Sequence, residues 1–122
     1  MEEKNNLTSE ELSQMVVMGM LDKKASNVVV MDLRKVGNAV ADFFVVATGN
    51  SDTQVESIAR GVDEEVFKQC KTNPWHREGM DNREWVLIDY VDVVVHVFKQ
   101  DKREFYNLEN MWGDAKITRI EE

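Results

Sequence analysis

Trp85-Val-Leu-Ile-Asp89-Tyr-Val-Asp92-Val-Val-Val-His96-Val-Phe98 decides the fold, together with Arg103-Glu-Phe105-Tyr106-Asn-Leu108-Glu109-Asn-Met111-Trp112 shortly after it. The first part is two apolar runs, 84–89 with Val86 and Ile88 and the valine-rich 92–98, on either side of Tyr90-Val91. Such runs form strands, because branched side chains fit a pleated, half-buried surface. So short a link predicts an antiparallel hairpin, although it lacks the Asn-Gly or Asp-Gly that two-residue turns favour. The second part predicts a helix from Asp101 or Lys102, with Phe105, Leu108 and Met111 or Trp112 on its apolar face. Set among these residues are Asp89, Asp92, His96, Tyr106 and Glu109, with a tryptophan at each end. Packing alone does not require them.

Upstream, residues 71–83 read as a loop that holds the sole proline, Pro74, with Trp75, His76, Glu78 and Gly79. Trp75 is expected to anchor that loop to the core, the alternative being contact with a partner, and His76 to sit on the surface. Ser51-Asp-Thr-Gln54 has capping-box spacing and opens a helix. Its apolar stripe is Val55, Ile58, Ala59, Val62, Val66 and Cys70, so Cys70 reads as a buried, inert thiol. Gly61 weakens that helix by about 1 kcal/mol relative to alanine and points to close packing on the sheet. Residues 42–48 form a strand apolar on both faces, hence a central one. Residues 27–33 form another strand, followed by a turn over 34–39. Thr8-Ser9-Glu10-Glu11 is a capping box that starts a helix running to Lys24, with Leu12, Met15, Val16, Gly19 and Met20 on one face. Residues 115–120 alternate as a short edge strand does, and residues 1–7 read as a disordered tail. The order of elements predicts an α/β (α+β) fold over 8–122: a single domain whose mixed β-sheet is flanked by helices.

The 122 residues are 43% hydrophobic, enough for one core. No apolar run approaches the ~20 residues of a membrane span, and the polar, acidic first residues resemble neither a signal nor a transit peptide. One cysteine gives no disulfide framework, so a cytoplasmic setting is expected. The net charge is −8, with the acidic excess leaning toward the C-terminal part. Such a chain repels phosphate backbones, which argues against direct nucleic-acid binding. A basic protein partner suits it.

Two kinds of chemistry compete for the polar residues. In one, Gly49-Asn50-Ser51 at a helix start holds a phosphate while Asp89 and Asp92 hold Mg²⁺, as in a nucleotidyltransferase. The fit is poor, because two acids three apart across a turn do not point the same way and no basic cluster neutralises a triphosphate. A zinc site from Cys70, His76 and His96 lacks ligand spacing, and a Ser51–His96–Asp89 triad is arbitrary. No metal or cofactor is therefore expected. In the other, Trp85, the acids, His96, Tyr106 and Trp112 share an exposed face, an aromatic cluster in an acidic rim that suits protein binding. The plain structural alternative makes His96 a half-buried residue bonded to a carboxylate, Asp89 and Asp92 solvated turn residues, and Arg103 and Glu109 members of weak surface pairs.

Several ordered motifs resemble the ribosomal silencing factor (Iojap-like) family. They are Asp42-Phe-Phe-Val-Val-Ala-Thr-Gly49 with Ser51 and Gln54, Glu78-Gly79, Trp85-Val-Leu-Ile-Asp89, Asp92-Val-Val-Val-His96-Val-Phe98, and Arg103-x-Phe-Tyr106-x-Leu108-Glu109-x-x-Trp112. The resemblance spans about residues 8–115. It implies a nucleotidyltransferase-like fold without established catalytic activity. It also implies binding to the large ribosomal subunit through that subunit's basic universal protein fourteen. Occupying that protein blocks subunit joining and lowers translation, chiefly when nutrients are scarce. Trp85, Asp89, Asp92, His96, Tyr106, Glu109 and Trp112 match the family pattern and become the candidate partner-binding residues, Trp85, Asp89 and Asp92 first. The free protein is open to a homodimer. Where the family usually carries glycine before the second acid, this chain has Val91, so the turn is expected to differ locally.

Overall fold

The computed structural model describes residues 7–121; residues 1–6 of the expected tail, and residue 122, lie outside them. Leu7, assigned to that tail, packs against the core. Helix α1 (Ser9–Asp22) starts where the capping box places it. The Thr8 hydroxyl accepts from the Glu11 N–H at 3.0 Å, and the Glu11 carboxylate accepts from the Thr8 N–H at 3.0 Å. Strands β1 (Ser26–Asp32) and β2 (Phe43–Gly49) follow as an antiparallel pair. Ser51 caps α2 (Asp52–Cys70), its hydroxyl accepting from the Gln54 N–H at 3.1 Å. Gln54 does not close the expected box. Its side-chain oxygen accepts from the Asn50 N–H at 2.7 Å, and its amide donates to the Lys24 carbonyl at 3.1 Å, which ties the start of α2 to the end of α1.

The remaining elements are β3 (His76–Glu78), β4 (Trp85–Asp89), β5 (Val93–Lys99), α3 (Gln100–Tyr106), α4 (Leu108–Met111) and β6 (Lys116–Arg119). They complete a six-stranded sheet in the order β3-β4-β5-β2-β1-β6. The β4–β5 hairpin is antiparallel as predicted, and β2 runs parallel to β5 from Phe43↔Val93 to Gly49↔Lys99. Every residue of β2 is buried, as a strand apolar on both faces requires. β6 is the edge strand that the alternation over 115–120 predicts.

Alternation divides the side chains of the sheet between two apolar layers. One layer holds Val45, Ala47, Val86, Ile88, Val95 and Val97 under α1 and α2, which supply Val16, Met20, Ile58 and Val62. The other holds Met31, Phe44, Val46, Val94 and Phe98, capped by Leu108 and the partly buried Trp112. Gly61 serves the first layer differently from the sheet packing expected of it. It sits at the α1–α2 crossing opposite Gly19. A Cβ on Gly19 would lie 2.7 Å from the Gly61 carbonyl oxygen and 2.8 Å from Val62 Cα, so the helix backbones meet only without it.

Three expectations change. The loop over 71–83 contains β3, which has no apolar pattern and is exposed throughout, but pairs antiparallel with β4. It is held from behind by Arg77, whose Nε donates to Asp63 of α2 at 2.8 Å. Trp75 does not anchor that loop: its side chain is 75% exposed, while its backbone N–H donates to the Asp89 carbonyl at 2.8 Å. The helix expected from Asp101 to about Trp112 is two short ones, because Asn107 adopts a left-handed conformation at φ 46°. The interruption breaks the helical spacing, so Leu108 is buried but Phe105 is 76% exposed.

Candidate functional site

The β4 face turned away from α1 and α2 carries Trp85, Leu87 and Asp89, since alternate residues share a face. Register places Trp85 opposite Phe98, Leu87 opposite His96 and Asp89 opposite Val94. On the outer side, β3 sets His76 beside Asp89 and Glu78 beside Leu87. His76 Nε2 and the Glu78 carboxylate are 2.8 Å apart. Helices α3 and α4 cover the middle of this face and stop short of β4, which leaves Trp85 and Leu87 half-buried.

Trp85 is held on three sides. Its ring lies 5.0 Å from Phe98 and 4.5 Å from Tyr106, centroid to centroid, and its indole N–H donates to His96 Nδ1 at 3.0 Å. Phe105 meets Tyr106 edge-on at 5.0 Å and continues the aromatic surface outward. His96 is 3% exposed, so it lies beneath the surface and cannot be touched from outside. Its partner is the indole and not the carboxylate expected of it. Burial pushes its pKa down to about 3, so the ring is neutral. Because Nδ1 accepts, the proton is on Nε2, which is buried without a hydrogen-bond partner.

The acids end the hairpin. The Asp89 carboxylate accepts from the Val91 N–H at 2.7 Å, and the Asp92 N–H returns to the Tyr90 carbonyl at 3.0 Å. This closes a three-residue turn with Val91 at φ 78°, a conformation that glycine adopts freely and a β-branched residue does not. The Asp92 side chain is exposed, whereas its carbonyl accepts from the N–H groups of Asp42 and Phe43 at 2.8 and 3.2 Å.

Two candidates from the sequence stand apart from this cluster. The Arg103–Glu109 pair is not a weak surface pair: at 2.7 Å its side chains are 11% and 18% exposed. Arg103 also donates to the Asn27 carbonyl at 3.0 Å and to the Thr48 hydroxyl at 2.8 Å, fastening α3 and α4 to the sheet. Burial alone would raise the Glu109 pKa, but the hydrogen bond and charge of Arg103 outweigh it and hold it below the ordinary value. Trp112 is half-buried with its ring edge-on to Phe44 at 5.8 Å, beyond His96 from Trp85. The structure thus gathers Trp85, Tyr106 and Asp89, with His96 beneath and Asp92 at the end of the turn. Glu109 and Trp112 support the second layer.

Sequence reasoning missed Leu87, Phe105 and Met111 as surface groups, and for Trp75 it preferred the anchoring reading over the exposed one that the structure shows. Leu87 was legible, since it is two residues from Trp85 on the same strand face. Phe105 and Met111 were not, because their exposure follows from the break at Asn107.

The nucleotidyltransferase arrangement does not assemble. Gly49 ends β2 and Ser51 lies just past it, whereas the turn bearing Asp89 and Asp92 abuts the strand's start at Asp42 and Phe43. A seven-residue strand separates them, roughly 20 Å. Among the described residues, no group of three or more His, Cys, Asp or Glu side chains could hold a metal ion. No described helix is long and apolar enough to cross a membrane.

The fold and the aromatic sheet face define a small mixed-sheet α/β domain known from crystal structures. It superposes on a protein from Chromobacterium violaceum with a TM-score of 0.82 at 30% identity, covering 95% of both chains. On a protein from Bacillus halodurans the TM-score is 0.75 at 38% identity, covering 93% of this chain and all of that one. The family model described as "Ribosomal silencing factor during starvation" matches residues 6–122. The ribosomal silencing factor RsfS of Halalkalibacterium halodurans is 41% identical over 115 residues, which is 94% of this chain and 97% of that one. The chloroplastic Iojap protein of Zea mays is 34% identical over 76 residues, 60% of this chain and 31% of its own. The chain belongs to the ribosomal silencing factor family.

Proposed function

We propose that the chain is a translational repressor that docks on the large ribosomal subunit through the face built on Trp85, Tyr106 and Asp89. The partner on that subunit is its basic universal protein fourteen, and occupying it sterically keeps the small subunit away, chiefly when nutrients are scarce. The observation that carries this reading is the surfaced aromatic group at the edge of the sheet face, where Trp85 of β4 meets Tyr106 of α3 at 4.5 Å with Phe105 beyond. Half-buried aromatics of this kind act as anchors in protein interfaces. Asp89 and Asp92 at the end of the same hairpin, and a net charge of −8, provide the field that draws in a basic partner. Trp85, Asp89, Asp92 and Tyr106 make the contacts. His96, Glu109 and Trp112 hold the face in shape from beneath and beside.

Sedimentation with separated subunits tests this. The protein is expected to travel with large subunits and to reduce the yield of joined ribosomes when small subunits are added. Trp85→Ala, folded by circular dichroism, is expected to stay at the top of the gradient. Recovery of wild-type protein at the top, with joining unchanged, overturns the proposal.

A further inference from the structure

His96 stands out within β5, where the other residues from Val93 to Phe98 are apolar. A leucine or phenylalanine would fill its place without desolvating two ring nitrogens, and one of those nitrogens, Nε2, has no partner. The atom in use is Nδ1, and what it receives is the indole N–H of Trp85. Phe98 stacks on that indole and Tyr106 meets it at a tilt of 45°, but ring contacts of this kind let the rings slide over one another at little expense. A hydrogen bond at the ring edge removes that freedom. Phe44, 4.6 Å away and edge-on to the imidazole, keeps the histidine from turning away. We propose that His96 is the positioning residue of the docking face: its Nδ1 fixes the depth and in-plane orientation of the Trp85 ring offered to the ribosomal partner. This rests on the docking face proposed above. An anchor ordered before contact loses less freedom on binding, so the effect of His96 reaches affinity through Trp85 alone.

The test is a double-mutant cycle read as affinity for purified large subunits, with the ¹⁵N-labelled free protein followed in parallel. His96→Leu removes the acceptor and keeps the bulk. His96→Asn puts a carbonyl oxygen near the place of Nδ1 and supplies the conservative rescue. Trp85→Phe keeps a ring and removes the N–H. His96→Leu is expected to bind about five- to tenfold more weakly, the equivalent of one lost hydrogen bond, and His96→Asn within about twofold of wild type. In the Trp85→Phe background, His96→Leu is expected to change affinity by less than about twofold, because there is no N–H left to place. In the free protein, the Trp85 indole signal is expected to exchange slowly with water in wild type and His96→Asn and quickly in His96→Leu. Wild-type affinity in His96→Leu, or an equal loss with and without the indole, overturns the proposal while the docking face stands. Wild-type affinity in Trp85→Ala overturns both. If His96→Leu does not fold, indole exchange and affinity that stay at wild type together or change together in His96→Asn uphold the proposal, and fast exchange with wild-type affinity in that variant, still folded, overturns it.

Discussion

Val91→Gly is expected to stabilise the protein, against the usual effect of adding glycine. Val91 stands at φ 78° in the β4–β5 turn, held there by the Asp89 carboxylate on its N–H and by the bond from the Asp92 N–H to the Tyr90 carbonyl. In that region a Cβ crowds the following carbonyl, and branching at Cβ worsens the contact, so the valine destabilises the fold by about 2 kcal/mol. Two terms oppose the gain from glycine. Its extra freedom in the unfolded chain removes about 0.5–1 kcal/mol. The valine side chain is 58% exposed, so the apolar burial given up is no more than about 0.5 kcal/mol. The net gain is about 0.5–1 kcal/mol, a rise in Tm of roughly 2–5 °C for a domain of this size. Thermal unfolding followed by far-UV circular dichroism reads it, with urea unfolding as the check that m is unchanged. Val91→Ala, which keeps the Cβ, is expected to gain less than the glycine variant. A fall in Tm of more than about 2 °C in Val91→Gly would refute the reasoning, since the backbone would then not be strained by valine.

The buried His96 makes stability depend on pH. The unfolded chain takes up a proton near the ordinary histidine value while the folded one resists it until about pH 3. The contribution is therefore complete above about pH 7 and drains as pH falls from 6.5 toward 3, by about 2 kcal/mol at pH 5; urea unfolding at pH 7.5, 6 and 5 should show a steeper loss in wild type than in His96→Asn, and parallel losses would contradict a neutral buried ring. Gly19→Ala is expected to destabilise by about 1–3 kcal/mol although alanine is the better helix former, because its Cβ meets the Gly61 carbonyl and Val62 Cα; a gain of about 1 kcal/mol, as helix propensity alone gives, would show that the helices can part. Arg103→Leu leaves the Glu109 carboxylate and the Thr48 hydroxyl without the partner they share. The expected loss by urea unfolding is about 3 kcal/mol, and a loss under about 0.5 kcal/mol would return the pair to the surface class.

What could be read from the sequence was local or periodic. Thr8 and Ser51 mark helix starts because a cap acts within three residues, and β2 is central because seven residues without a polar face need cover on both sides. The hairpin was legible from its short link. What stayed hidden depends on partners far along the chain. β3 exists because β4 offers its edge and Asp63 receives Arg77, neither of which marks residues 76–78 as a strand. The three bonds of Arg103 reach Asn27, Thr48 and Glu109, so no helical spacing reveals that it is buried. At the candidate face, Trp85, Tyr106 and the acids could be named from their types. That His96 lies beneath Trp85, and that Phe105 lies outside, follow from register and from the interruption at Asn107.

The parallel pairing of β2 with β5 also orders events during synthesis. Phe43 and Val93 are neighbours in the sheet but are separated by α2 and two further strands. As the chain leaves the ribosome, β2 can join β1 and receive α1 and α2 on one face early, yet its other edge stays open until Lys99 has cleared the exit. Throughout that interval the most apolar strand of the protein presents unsatisfied backbone groups to whatever is nearby. The β4–β5 hairpin, which closes locally, then docks as a preformed unit, and the last turns of helix seal the layer that carries Trp85. The face proposed for docking is thus completed late in the chain, with only the edge strand β6 still to join β1 after it.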